Sequence, residues 1–114
     1  MNNVVFKTFA EVQNALQTFI TNNNIPISGA PHGAFWERGS TFQEQYKNFV
    51  TGDAIQGFPI LIPGNGNQSN IILALRGQAP FDGSSFPQMP AGGPYFDGAT
   101  IDAISAWIDA GANE

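Results

Sequence analysis

The clearest structural pattern in this chain is the segment DGATIDAISAWIDAG, residues 97–111. Asp97 is a typical N-cap residue, because its carboxylate can accept hydrogen bonds from the free amides of a first helical turn. Large apolar side chains then recur at helical spacing on one face: Ile101, Ile104, Trp107 and Ile108. Asp102 and Asp109 point away from that face, and Gly111 can supply the C-terminal cap. The segment therefore predicts an amphipathic helix that packs against a core.

A helix of the same kind is predicted after Thr8. Thr8 and Glu11 have the spacing of a capping box, in which the hydroxyl and the carboxylate each accept a hydrogen bond from the other residue's backbone amide. The apolar face consists of Phe9, Val12, Leu16, Phe19 and Ile20, and the polar face includes Gln13, Asn14 and Gln17. The three asparagines at 22–24 and then Pro26 end the helix, because asparagine tolerates a left-handed cap and proline cannot continue.

Another helix is predicted to begin near Ser40 or Thr41, where Thr41 and Glu44 have the spacing of a second capping box. Its apolar positions are Phe42, Tyr46, Phe49 and Val50. Gly52 is its expected end.

The rest of the chain is predicted to be irregular around one short helix. Ser69 is the expected N-cap of that helix, which buries Ile71, Ile72 and Leu75 and ends at Gly77. Residues 58–63 are apolar but carry prolines near both ends, which predicts an extended segment rather than a central strand, and residues 64–67 form a loop. Residues 78–96, rich in Gly, Pro and Ser, are predicted to be the longest loop, and loops of this length are usually functional.

These elements predict one mostly α-helical domain over residues 1–114, with three to four helices joined by long Gly/Pro-rich loops. The length suits a single core. A hydrophobic fraction of 42% and ten phenylalanines argue for a packed globule, and 13 glycines with 8 prolines are typical of long loops.

Charge and composition disfavour several classes of partner. The formal net charge is −5, and the four basic residues are scattered: Lys7, Arg38, Lys47 and Arg76. Nucleic acids and anionic membrane surfaces attract clustered Lys and Arg, so neither is an expected partner.

No apolar run reaches the roughly 18–20 residues of a membrane span. The first residues lack a signal-peptide pattern, which predicts a cytoplasmic protein, or a periplasmic one if a signal has been removed.

The segment SGAPHG, residues 28–33, has the outline of the haem-attachment motif C-x-x-C-H without its cysteines. Ser28 and Pro31 occupy the two cysteine positions, and His32, the one histidine in the chain, keeps the position of the axial ligand. The chain has no cysteine at all, which rules out thioether-linked haem, disulfides and thiolate metal sites.

With these residues in view, the chain resembles small class I cytochromes c. The likeness rests on the segments 28–33, 69–73, 88–90 (Gln-Met-Pro) and 101–112, the last of which closes with Trp107-Ile108-Asp109-Ala110-Gly111-Ala112. The resemblance implies a small cytochrome-c-like helical fold in which His32 and Met89 would be the axial ligands if a haem were bound. Ser28 and Pro31 depart from the family pattern, so its redox activity does not follow from the resemblance.

His32 and Met89 each have a second interpretation. His32 can be a structural residue that hydrogen-bonds within its loop, and Met89 can fill an irregular gap in the core. Large aromatic side chains accompany both, and they can line a haem pocket or fill the volume of a lost haem: Phe35, Trp36, Phe81, Phe86, Tyr95 and Phe96. We expect filling, because an emptied cofactor site would leave a destabilising cavity.

The sequence favours a haem-free, cytochrome-c-like binding or accessory module that acts through a protein partner or a neighbouring enzyme. The expected contact surface joins the two loops and includes His32, Phe35, Trp36, Phe86, Met89 and Tyr95. One alternative is an electron carrier that holds haem non-covalently through His32 and Met89. A more distant alternative is a hydrolytic or metal-dependent enzyme that uses His32 with a carboxylate. No catalytic constellation and no metal site are predicted, because neither a cysteine nor a second histidine accompanies His32.

Overall fold

Four α-helices make up most of the regular structure in residues 5–25, 35–55, 57–84, 86–89 and 94–114, which are the residues that the computed structural model describes. They are α1 (Phe9–Asn22), α2 (Phe42–Thr51), α3 (Asn70–Arg76) and α4 (Gly98–Asp109). Two short antiparallel strands, β1 (Asp53–Ile55) and β2 (Phe58–Pro59), and two single-turn 3-10 helices, Phe35–Glu37 and Gly66–Gln68, lie between them. The prediction of a mostly helical small protein is confirmed.

The capping box predicts the start of α1 correctly. The Glu11 amide donates to Thr8 Oγ1 at 3.3 Å, and the Thr8 amide donates to Glu11 Oε1 at 3.2 Å. The predicted apolar face is turned inward, with Phe19 half-buried and the others buried: Phe9, Val12, Leu16 and Ile20. Asn23 is the C-terminal cap, so the helix ends among the asparagines as predicted. Pro26 lies outside the described residues.

The second helix is confirmed, although its cap differs from a capping box. Thr41 Oγ1 accepts a hydrogen bond from the Glu44 amide at 3.2 Å. The Glu44 carboxylate accepts from the amide of Ser40, one residue earlier than a capping box requires. Gly52 caps the end of α2, as expected.

Ser69 occupies the predicted N-cap position of α3, but its hydroxyl does not cap the helix. The side chain is buried and turned towards the preceding turn: Oγ donates to the Asn65 carbonyl at 2.8 Å and accepts from the Ile62 amide at 2.8 Å. The predicted N-cap position is confirmed, while partners in residues 62–65 compete with the helix amides for the hydroxyl. At the other end Gly77 has φ +70°, the left-handed cap that glycine supplies.

Residues 58–68 lead from strand β2 to a 3-10 helix that packs closely against α4. Only Phe58 and Pro59 belong to a strand, which agrees with an extended segment rather than a central strand. The predicted loop at 64–67 instead runs into the 3-10 helix Gly66–Gln68. Gly66 allows this approach, because a Cβ at this position would collide with Oγ and the carbonyl oxygen of Ser105 on α4.

Helix α4 has the predicted N-cap and the predicted core face, and Asp97 accepts a hydrogen bond from the Thr100 amide at 3.1 Å. Its C-cap is Ala110, one residue before the predicted Gly111, which follows with φ +110°. Its two polar-face aspartates are exposed and also make specific contacts. Asp102 forms an ion pair with Arg76 at 2.9 Å, and Asp109 Oδ1 accepts a hydrogen bond from the Gly66 amide at 2.7 Å. The aspartates thus connect α4 to α3 and to the turn before it.

The core is one cluster of buried side chains drawn from all four helices. Phe9 lies at the centre of its aromatic part, with ring centroids 5.2–6.5 Å from those of Phe42, Tyr46, Phe49 and Trp107. The Phe9 amide also donates to the Asn113 carbonyl at 3.0 Å. These contacts bring α1, α2 and the segment around α4 together.

The predicted long loop 78–96 contains neither helix nor strand in the residues that the structure describes. It is held against α3, where the Met89 amide donates to the Ala74 carbonyl at 2.9 Å and Gln88 Nε2 donates to the Leu75 carbonyl at 3.0 Å. Within the described ranges, no helix has both the length and the apolar character for crossing a membrane.

Replacing Gly66 with alanine should lower the free energy of unfolding by about 1–3 kcal/mol, the usual effect of forcing an atom into a packed contact. Gly98→Ala is the matched control, because its Cβ would meet nothing within 4 Å and alanine favours the helix that begins there. Urea denaturation of both variants measures the difference. Equal stability of the two variants would contradict the close approach of Gly66 to α4.

Candidate functional site

The structure describes some of the residues predicted to form the site and not others. His32, Ser28 and Pro31 lie outside the described residues, so the roles predicted for them stay predictions. The other candidates are all described: Phe35, Trp36, Phe86, Met89 and Tyr95.

Trp36 is part of the core. Its side chain is 3% exposed, and its indole Nε1–H donates to Gln17 Oε1 on α1 at 3.1 Å. Gln13, one turn earlier on α1, donates to the Trp36 carbonyl at 2.8 Å. The two glutamines of the predicted polar face of α1 therefore fix the segment that follows His32, and sequence spacing alone did not indicate this.

Phe35 lies beside Trp36 and points to the same aromatic cluster. Its ring meets the Trp36 ring edge-on at 5.0 Å and lies nearly parallel to that of Phe49 at 6.0 Å. The structure thus brings Phe35 and Trp36 together with α1 and α2.

Phe86 and Met89 belong to the loop on α3. The half-buried Phe86 ring is 5.4 Å from that of Phe81 and meets Phe58 edge-on at 5.2 Å. Met89 is half-buried and bonded through its backbone to α3. In the same loop, the Ser84 hydroxyl and amide donate to the Asp82 carboxylate and lower the pKa of Asp82.

Tyr95 and Phe96 are adjacent in the chain and differ in exposure. Tyr95 is 48% exposed, whereas Phe96 is 7% exposed and stacks on Phe19 of α1 at 3.9 Å. Tyr95 is therefore the most accessible of the described candidates, and Phe96 belongs to the core.

Four of the aromatic side chains that could line or fill a haem site have their rings against other aromatic rings of the protein: Phe35, Trp36, Phe81 and Phe96. Among the described residues, no three acidic or histidine side chains gather in a way that could hold a metal ion.

An open groove beside α1 was not predicted. It has a volume of about 300 Å³ and is lined by one side of α1, by Phe6 and by Phe96 and Thr100 at the start of α4. Near its edge the Thr100 hydroxyl donates to Asp97, and this bond lowers the pKa of the Asp97 carboxyl. The polar residues of α1 at a spacing of four were visible in the sequence, but their juxtaposition with α4 was not.

Comparison of the chain with protein-family models, with curated proteins and with solved structures finds no match.

Burial predicts a large effect on stability for one of the aromatic candidates and a small effect for another. Trp36→Phe should lower the free energy of unfolding by about 1–3 kcal/mol, because it leaves a cavity and removes the donor to Gln17. Tyr95→Phe should change it by no more than about 0.5 kcal/mol, as is usual for exposed positions. Chemical denaturation followed by far-UV circular dichroism checks both. A Trp36→Phe variant as stable as Tyr95→Phe would contradict the core position of Trp36.

Proposed function

We propose that this chain is a haem-free, cytochrome-c-like module that acts by binding a protein partner. The observation that carries the proposal is the placement of Trp36. This residue follows shortly after His32 in a segment that would carry haem in a cytochrome c, yet its ring is buried and its indole N–H is paired with Gln17.

The other aromatic residues support a filled rather than an open cofactor region. Phe35 packs on Trp36 and Phe49, and Phe81 packs on Phe86. Side chains that contact one another stabilise the fold without a cofactor, since the volume is occupied and no cavity has to be maintained. The missing cysteines agree with this proposal, because nothing in the chain can anchor haem covalently.

Binding to a protein is supported by the remaining accessible aromatic surface. Tyr95 belongs to the same loop, residues 78–96, as Phe86 and Met89, and it exposes almost half of its surface. Tyrosine is enriched among residues that dominate the energy of protein interfaces, because its ring gives a large contact area and its hydroxyl can bind a partner. The proposed contact surface is therefore the part of the loop 78–96 that carries Phe86, Met89 and Tyr95.

The purified protein should be colourless and cooperatively folded without haem. Added haemin should give no saturable Soret change beyond that seen with the His32→Ala and Met89→Leu variants, because the proposal assigns neither residue to iron. Absorbance titration measures this, and thermal unfolding with and without haemin checks the fold. A stoichiometric Soret band lost in both variants would overturn the proposal in favour of the electron carrier.

A photocrosslinking side chain should report the partner. Incorporation of p-benzoylphenylalanine at Tyr95 in the producing cells should give a discrete protein adduct, identified by mass spectrometry. Ile62, which is 46% exposed, is the matched control position and should give none. With the purified partner, Tyr95→Ala should weaken binding about tenfold or more, as is common for a buried interface tyrosine. Equal adducts from both positions, or unchanged affinity, would contradict the proposed surface.

A further inference from the structure

The open groove beside α1 has an ordered polar side. Asn14, Thr18 and Asn22 are four residues apart, so their side chains form one row along the helix. All three are exposed, and in the described part of the chain none of them forms a side-chain hydrogen bond with another residue. The row therefore presents two amides and a hydroxyl, each of which can both donate and accept.

The other side of the groove is aromatic. Phe6 and Phe19 are half-buried, and Phe19 is held in place by its stack on Phe96 at 3.9 Å. Because Phe96 immediately precedes the N-cap of α4, this stack fixes the distance between the polar row and the start of α4. Part of each half-buried ring remains available at the floor of the groove.

The groove supplies no counter-charge for an ionic ligand, because none of the residues that line it is charged. The Asp97 carboxylate, which accepts hydrogen bonds from the hydroxyl and amide of Thr100, would also repel an anion. An entirely apolar ligand is disfavoured as well, because the exposed amides would lose water without gaining partners.

We propose that this groove binds a neutral saccharide. Sugar hydroxyls donate and accept hydrogen bonds as the row of Asn14, Thr18 and Asn22 requires, and the C–H face of a sugar ring can pack on Phe6 and Phe19. The groove has a volume of about 300 Å³ and is open to solvent, so a bound sugar would lie along α1 with one face exposed.

This site shares no residue with the proposed partner surface, although Phe96 at the groove directly follows Tyr95 in the chain. It includes none of Phe35, Trp36, Phe86, Met89 or Tyr95. A failure of the haemin or crosslinking experiments would therefore leave the saccharide proposal standing, and the reverse also holds.

The test is an NMR titration of the ¹⁵N-labelled protein with maltose, cellobiose and N,N′-diacetylchitobiose. At least one of them should shift the side-chain amide signals of Asn14 and Asn22 in a saturable manner. Asn14→Ala and Asn22→Ala should each weaken that binding about fivefold, the change expected for one neutral hydrogen bond. Gln43→Ala removes an exposed amide from α2 and serves as the control, with unchanged affinity expected.

Inorganic phosphate and n-hexanol test the excluded ligand classes in the same titration. Neither should shift the two asparagine signals. The proposal is overturned if no saccharide shifts them, if phosphate or hexanol shifts them in place of the saccharides, or if Gln43→Ala weakens binding as much as the groove variants. The amide spectrum of each variant verifies that it is folded.

Discussion

The packing of Phe9 is the contact on which the described part of the fold depends. Its ring meets side chains of α2 and α4, and its amide is bonded to the carbonyl of Asn113, so one buried residue connects three helical regions. The positions of the Trp36 segment and of the groove depend on this packing. Gln13 and Gln17, one and two turns further along α1, hold the Trp36 segment, while the row that begins at Asn14 borders the groove. The orientation of α1 therefore determines the positions of both the Trp36 segment and the groove.

Local sequence patterns predicted the helices well. Features that depend on contacts between residues distant in the sequence were not predicted. The caps of α1 and α4 involve residues three positions apart, so both caps can be predicted from the local sequence. Ser69 is the N-cap of α3 as predicted, but the local pattern did not indicate that its hydroxyl binds residues 62–65. The bond between Asp109 and the Gly66 amide spans 43 positions, and no local pattern indicates it. For the site, composition could not separate the buried Trp36 from the exposed Tyr95, since both are aromatic residues of irregular segments.

The proposed haem-free function rests on the arrangement of the aromatic side chains. The ring of Phe35 packs on those of Trp36 and Phe49, and under the proposal these contacts replace the contact area of a macrocycle. A core closed in this way leaves binding to the periphery, where Tyr95 and the amide row of α1 remain accessible. Both proposed surfaces therefore lie outside the same packed aromatic core.

The hydrogen bond from the Phe9 amide to the Asn113 carbonyl also has a topological meaning. The beginning of the first helix and the segment after the last helix lie within 3.0 Å of each other, so the described fold enters and leaves at one place. A fold with adjacent entry and exit points suits insertion into a surface loop of a larger protein, because the host has only a narrow gap to span.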